Sequence, residues 1–166
     1  MSYTITGSGC SIPAVIQENK DFLGHSFLND KGDGFDIDNH TIIDKFHSIT
    51  GIEQRKYLSP ELTTSDIAHQ AAQKAIIDAG VDPETLDYII VAHNFGDIGS
   101  GSKQIDTLPS LASRVKAKLK IKNPACVAYD ILFGCPGWVE AMIQAQAFIK
   151  AGMARKCLVI GADALS

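Results

Sequence analysis

Thr64-Ser65-Asp66-Ile67-Ala68-His69-Gln70-Ala71-Ala72-Gln73-Lys74-Ala75-Ile76-Ile77-Asp78-Ala79-Gly80 leads through Val81-Asp82-Pro83-Glu84-Thr85 into Leu86-Asp87-Tyr88-Ile89-Ile90-Val91-Ala92. The Thr64–Asp66 cluster has the side chains that satisfy the free amides at a helix start. Ile67, Ala68, Ala71, Ala72, Ala75, Ile76 and Ala79 recur at helical spacing, and Gly80 stops the helix. Asp82-Pro83 is a turn. Residues 86–92 are almost continuously apolar rather than alternating, which predicts a strand buried on both faces. Helix, short turn and buried strand make half of an α/β unit.

The same grammar continues outward. Residues 93–106 form a loop with three glycines and two serines. A helix follows, opened by Pro109 and lined by Leu111, Ala112, Val115 and Leu119. Asn123-Pro124 breaks it, and Cys126 to Ile131 reads as a strand. Pro136 opens a helix to about Ala151, Gly152 ends it, and Cys157-Leu158-Val159-Ile160-Gly161 is the next buried strand. Upstream, Tyr3 and Ile5 alternate with Thr4 and Thr6 before Gly7 and Gly9, which predicts a short strand and a turn. Residues 18–39 read as a solvated loop. Within it, Asp30 to Asp38 lacks the order and the closing Glu of a calcium loop. Buried strands separated by helices imply a mostly parallel sheet covered on both faces. The chain stops just after a buried strand, so it is expected to be part of a longer protein.

Composition narrows the function. The 166 residues carry a formal net charge of −4, which argues against a dedicated nucleic-acid binder. An apolar fraction of 45% and a charged fraction of 20% argue against disorder. No apolar run approaches the ~18 residues of a membrane span, and the N-terminus lacks the cationic and apolar regions of a secretory signal. Cys10, Cys126, Cys135 and Cys157 form no CxxC or zinc-finger spacing. They read as reduced thiols of a cytoplasmic protein.

Chemistry concentrates in Tyr129-Asp130-Ile131-Leu132-Phe133-Gly134-Cys135-Pro136-Gly137-Trp138. A strand ends there, a tight turn follows, and a cysteine lies just before a helix. Free amides and the positive end of the helix dipole favour a thiolate at such a place. The same amides can hold an oxyanion during acyl transfer, and Gly134 and Gly137 are expected to leave room for a bulky thioester. The plainer alternative for Cys135 is a packed core thiol. Cys10, Cys126 and Cys157, in or beside strands, read as core thiols. Of the histidines, His69 sits on the alanine-rich helix, and His93 opens the glycine loop, where it reads as solvent-exposed or as facing a cleft. None is placed as the partner of Cys135. The Gly96, Gly99, Gly101 loop lacks a phosphate-loop signature. The basic run Arg114, Lys116, Lys118, Lys120, Lys122 reads as a solvated face, with a docking patch for an acidic carrier as the sharper alternative.

Several segments in order resemble the first half of β-ketoacyl-acyl-carrier-protein synthase III, a family of thiolase-like condensing enzymes. They are Thr50-Gly51-Ile52-x-x-Arg55, Leu108-Pro109-Ser110, residues 121–130, Gly134-Cys135-Pro136-Gly137, Lys150-Ala151-Gly152 and Leu158-Val159-Ile160-Gly161-Ala162-Asp163. The resemblance implies an α/β thiolase-like fold of α-β-α-β-α layers, with residues 1–166 as most of the first of two duplicated halves. It implies a homodimer and no resident cofactor, with acyl-CoA or acyl-carrier protein as substrates. It places the family's acyl-accepting nucleophile on Cys135. Leu108 falls where relatives reach into the partner subunit's acyl pocket, and Leu165 on a pocket-lining position.

The implied activity is an acyltransfer to Cys135 followed by decarboxylative Claisen condensation with malonyl-carrier protein, in fatty acid or polyketide-like biosynthesis. The family's catalytic His and Asn lie in the second half, so the 166-residue chain alone is expected to be inactive. The family's CoA-binding tryptophan and arginine fall near Lys45 and Ile49, which favours an acyl donor other than an ordinary CoA primer. Gly134-Cys135-Pro136-Gly137 departs from the usual Ala-Cys-Ala-Gly. The alternative functions are a non-catalytic accessory subunit of the same fold and a thiol-based redox protein.

Overall fold

In chain order the elements are β1 (Val15–Glu18), α1 (Asn39–Thr50), β2 (Gln54–Tyr57), α2 (Thr64–Ala79), β3 (Tyr88–His93), α3 (Leu111–Lys118), β4 (Val127–Leu132), α4 (Gly137–Lys150) and β5 (Cys157–Gly161). The structure, a computed structural model, describes residues 3–164. It divides into two compact units: Met1–Ile12 with Pro60–Ser166, and Pro13–Ser59.

The larger unit is built on a parallel sheet of order β4-β3-β5. Tyr88 lies opposite Val127 on one side and Cys157 on the other. Ile89, Ile90 and Val91 of the central strand are wholly buried, as a near-continuous apolar run between two helix layers requires. Each such side chain contributes about 1.5–3 kcal/mol. Ile89 and Val91 pack with Ala68, Ala72, Leu111 and Val115, from α2 and α3. Ile90 and Ala92 pack on the other face with Ala141 and Ala145, from α4.

Local chemistry explains the boundaries. Thr63 caps α2, and its amide and hydroxyl both donate to Asp66 at 2.9 Å. Gly80 ends the helix in the left-handed region at φ 61°. Ser110 caps α3, so Pro109 precedes the cap rather than opening the first turn. Pro136 likewise is the N-cap of α4, one position before the helix proper.

The N-terminal segment differs from expectation, because no strand is assigned to the described residues before Val15. It runs against α2 instead. A Cβ on Gly7 would lie 2.5 Å from the Ala79 amide nitrogen, and one on Gly9 would lie 2.5 Å from the Ala71 carbonyl oxygen. The two glycines let backbone meet backbone, and the Ser8 amide donates to Asp78 at 2.8 Å. Alternation in residues 3–6 therefore marks an extended chain without a ladder.

Residues 18–39 are not loop throughout, since Asn19–Phe22 form a short 3-10 turn, and around them the smaller unit holds α1 and an antiparallel β1–β2 pair with Val15 opposite Tyr57. Within residues 18–39, Asn29 organises a turn by accepting from the Lys31 and Asp33 amides at 2.9 and 3.0 Å. Asp38 caps α1 through the Thr41 amide and hydroxyl. The Thr50-Gly51-Ile52-x-x-Arg55 motif is a helix ending. Gly51 is left-handed at φ 66°, and Arg55 donates to Asn19 at 2.9 Å with its guanidinium over Phe22. Among the described residues, no helix is long and apolar enough to cross a membrane.

Candidate active site

Cys135 is exposed, between the end of β4 and the cap of α4. The local chain is a tight turn in which the Gly137 amide donates to the Gly134 carbonyl at 2.8 Å. The Phe133 amide donates to the His93 carbonyl at 3.2 Å, tying this turn to the end of β3. Gly137 is buried, and a Cβ there would stand 3.1 Å from the Ala92 Cβ. A Cβ on Gly161 would stand 3.0 Å from that of Trp138. These two glycines let the start of α4 sit close on the carboxyl ends of β3 and β5. Gly137 therefore serves helix–sheet packing rather than thioester access. Gly134 has only the Asn94 Oδ1 near its missing Cβ, at 3.8 Å, and remains open. The sulfur thus stands at the carboxyl ends of parallel strands, where α/β folds place their ligands.

Two residues missed from the sequence fix this rim. The Asn94 amide donates to Asp163 Oδ1 at 2.8 Å, and its side-chain nitrogen donates to Asp163 Oδ2 at 2.7 Å. That bidentate pair joins the ends of β3 and β5 across 69 residues of sequence, a separation no local pattern announces. A polar pair immediately after two buried strands was the available signal.

His93 is neither an exposed loop residue nor a cleft-facing base, because it is 1% exposed. Its Nδ1 accepts from the Gly96 amide at 2.9 Å, so the proton sits on Nε2, which donates to Asp130 at 2.9 Å. Asp130 also accepts from the Leu111 and Ala112 amides at 2.7 and 2.8 Å. One carboxylate therefore holds a buried imidazole and the start of α3. His69, partly buried on α2, has an Nε2 with no hydrogen-bond partner among the described residues, and burial foremost pushes its pKa down.

The cysteines separate by environment. Cys126 is buried, and desolvation pushes its thiol up. Burial raises the Cys157 thiol to about 11, helped by Asp87. Cys10 is exposed rather than a core thiol, because its segment lies outside any sheet. The basic run is not simply a solvated face either. Lys116 donates to the Asn123 and Cys126 carbonyls, Lys118 to Asp66, and Arg114 to Asp97 and Asp106. Leu108 is 83% exposed. Leu165 lies outside the described residues.

Residues 129–166 match the family model of 3-oxoacyl-[acyl-carrier-protein] synthase III. The chain is 36% identical over 162 residues to a β-ketoacyl-[acyl-carrier-protein] synthase III of Vibrio parahaemolyticus, covering 98% of this chain and 44% of that protein. It superposes on the 3-oxoacyl-[acyl-carrier-protein] synthase III of Aquifex aeolicus with a TM-score of 0.75 at 32% identity, over 97% of this chain and 44% of that one. The synthase III of Thermus thermophilus gives 0.73 at 29%, over 98% and 43%. The chain thus spans less than half the length of these relatives, and its α/β fold is the thiolase-like fold of those structures.

Proposed function

The chain belongs to the 3-oxoacyl-[acyl-carrier-protein] synthase III family, and from that premise we propose that Cys135 is the acyl-accepting nucleophile of a decarboxylative condensing enzyme. In the first half-reaction the Cys135 thiolate attacks the carbonyl of an acyl thioester, a carbon–sulfur bond forms, and the donor thiolate leaves. The Cys135 amide contributes to the site that holds the developing oxyanion. In the second, malonyl-carrier protein loses carbon dioxide. Its carbanion attacks the acyl-cysteine carbonyl, and the cysteine leaves as thiolate, giving a β-ketoacyl-carrier protein. No resident cofactor takes part. The catalytic His and Asn of the second step belong to the part of the relatives that this chain does not cover.

The observation that carries this reading is the exposed Cys135 on a turn at the carboxyl ends of β3, β4 and β5, beside the start of α4. The two thiols with raised pKa values, Cys126 and Cys157, are by contrast desolvated. The exposed Leu108 suits a residue that reaches into a second subunit of a homodimer. Lys45 and Ile49, both exposed on α1, suit an acyl donor other than an ordinary CoA primer, such as an acyl-carrier protein.

The test is mass spectrometry of the full-length protein after incubation with acyl-CoA and acyl-carrier-protein thioesters. An acyl mass on the Cys135 peptide, lost in Cys135→Ala, is expected. No adduct from any donor would instead assign the protein the role of a non-catalytic accessory subunit.

A further inference from the structure

Arg114, on α3, reaches three separate points of the segment between β3 and α3. Nη1 donates to Asp97 Oδ2 at 2.8 Å, Nη2 to Asp106 Oδ1 at 2.7 Å, and Nε to the Pro109 carbonyl at 2.9 Å. Asp97 and Asp106 are the two feet of an exposed loop, and their amides and carbonyls bond each other in both directions at 2.9 Å. Asp97 is 5% exposed and takes the Ser65 amide and hydroxyl at 2.7 Å, which ties the loop to the start of α2. Gly96, at φ 76°, allows that closure, because a Cβ there would meet the Asp106 carbonyl oxygen at 2.7 Å. Just beyond, Ser110 caps α3, and Asp130 holds the Leu111 and Ala112 amides.

Leu108 stands out in this scaffold. Its neighbours Asp106, Pro109, Ser110 and Leu111 are all fastened, yet its own side chain is 83% exposed. Ordering a backbone carries an entropic cost, and an apolar side chain left in water returns none of it. A rigid base under an exposed leucine is the arrangement of a presented side chain. The base depends on a planar fork, which a lysine with its single ammonium cannot reproduce across three acceptors.

We propose that Arg114 is a positioning residue for acyl-chain selection: by joining Asp97, Asp106 and the Pro109 carbonyl it fixes where Leu108 stands in the acyl pocket. The inference rests on the reading of Cys135 as nucleophile and of Leu108 as the pocket residue. The experiment follows the rate of Cys135 acylation by mass spectrometry in the full-length protein, with acetyl, hexanoyl and decanoyl thioesters of CoA and of acyl-carrier protein. Arg114→Ala, Arg114→Lys and Asp106→Asn are compared with the unsubstituted protein. Asp106→Asn weakens one arm of the fork at an exposed carboxylate, so the test does not depend on Arg114→Ala folding.

All three variants are expected to shift the decanoyl-to-acetyl rate ratio by about tenfold, the discrimination that a methylene or two gives in an apolar pocket. Alkylation of Cys135 by iodoacetamide should stay unchanged, which a general loss of structure would not allow. Unchanged ratios in Asp106→Asn and Arg114→Lys, with normal acylation of the unsubstituted protein, overturn the positioning role alone. No adduct on the unsubstituted protein overturns the nucleophile reading and this inference with it.

Discussion

A thiol becomes a nucleophile only where its ionised form is tolerated, and burial works against that form at two of the four cysteines. Cys157, raised to about 11 by burial, stays protonated near neutrality, and desolvation acts the same way on Cys126. Iodoacetamide at pH 7.5 should therefore label Cys135 and Cys10 in the folded protein and reach Cys126 and Cys157 only with urea. Peptide mapping that found Cys157 labelled early would contradict the desolvation of its thiol. Asp130 is the residue on which most of the site's support converges, because it serves His93, Leu111 and Ala112 together. Asp130→Ala leaves a buried imidazole N–H and two helix amides without their acceptor. A loss of about 3 kcal/mol is expected in urea unfolding, against less than about 1 kcal/mol for an exposed substitution such as Lys122→Ala.

At the scale of elements, small residues decide what packs on what. Gly9→Ala drives a methyl into the Ala71 carbonyl and the Ala75 amide nitrogen, each 2.5 Å from the ideal Cβ. Backbone cannot step aside cheaply, so a destabilisation of about 1–3 kcal/mol is expected, read as a fall in the urea midpoint. The loop between β3 and α3 responds to pH in a calculable direction. Arg114, through its hydrogen bond and charge, with the Leu108 amide in support, holds Asp106 below the usual carboxylate range. A depressed folded value means the stabilisation is present above the unfolded pKa and is lost as pH falls through the folded one. Hydrogen exchange of residues 97–106 should therefore accelerate below about pH 4. A profile flat down to pH 2 would leave the clamp without a role. These elements also show what could be read in advance. α2 was legible because its cap cluster, its apolar spacing and Gly80 all agree, and β3 and β5 because they are buried runs between turn signals. β1 and β2 were not, being four residues each, mostly exposed, with no apolar face to betray them. Asn94–Asp163 and Arg114 were missed because their partnerships are made by the fold and leave no periodicity in the chain.

For the whole molecule, the sheet poses a question of edges. Among the described residues β4 pairs only with β3, and Val127 and Leu132 at its two ends and Phe133 just beyond are exposed at 45%, 65% and 47%. A strand edge left unpaired, with apolar residues at its ends, is an aggregation hazard unless something covers it, and proteins usually blunt such an edge with charge, proline or a bulge. The sequence Val127-Ala128-Tyr129-Asp130-Ile131-Leu132 offers no lysine or proline, and its one charge is turned inward to His93 and α3. A second copy of the chain laid along β4 would remove the hazard, which is where the proposed homodimer is expected to meet. The full-length protein should then sediment as a dimer. Leu132→Lys, a charge placed on an already exposed position, should leave the fold intact by circular dichroism while shifting the sedimentation toward monomer. A variant that remains fully dimeric would move the interface away from β4, and an unsubstituted protein that sediments as a monomer would remove the homodimer altogether.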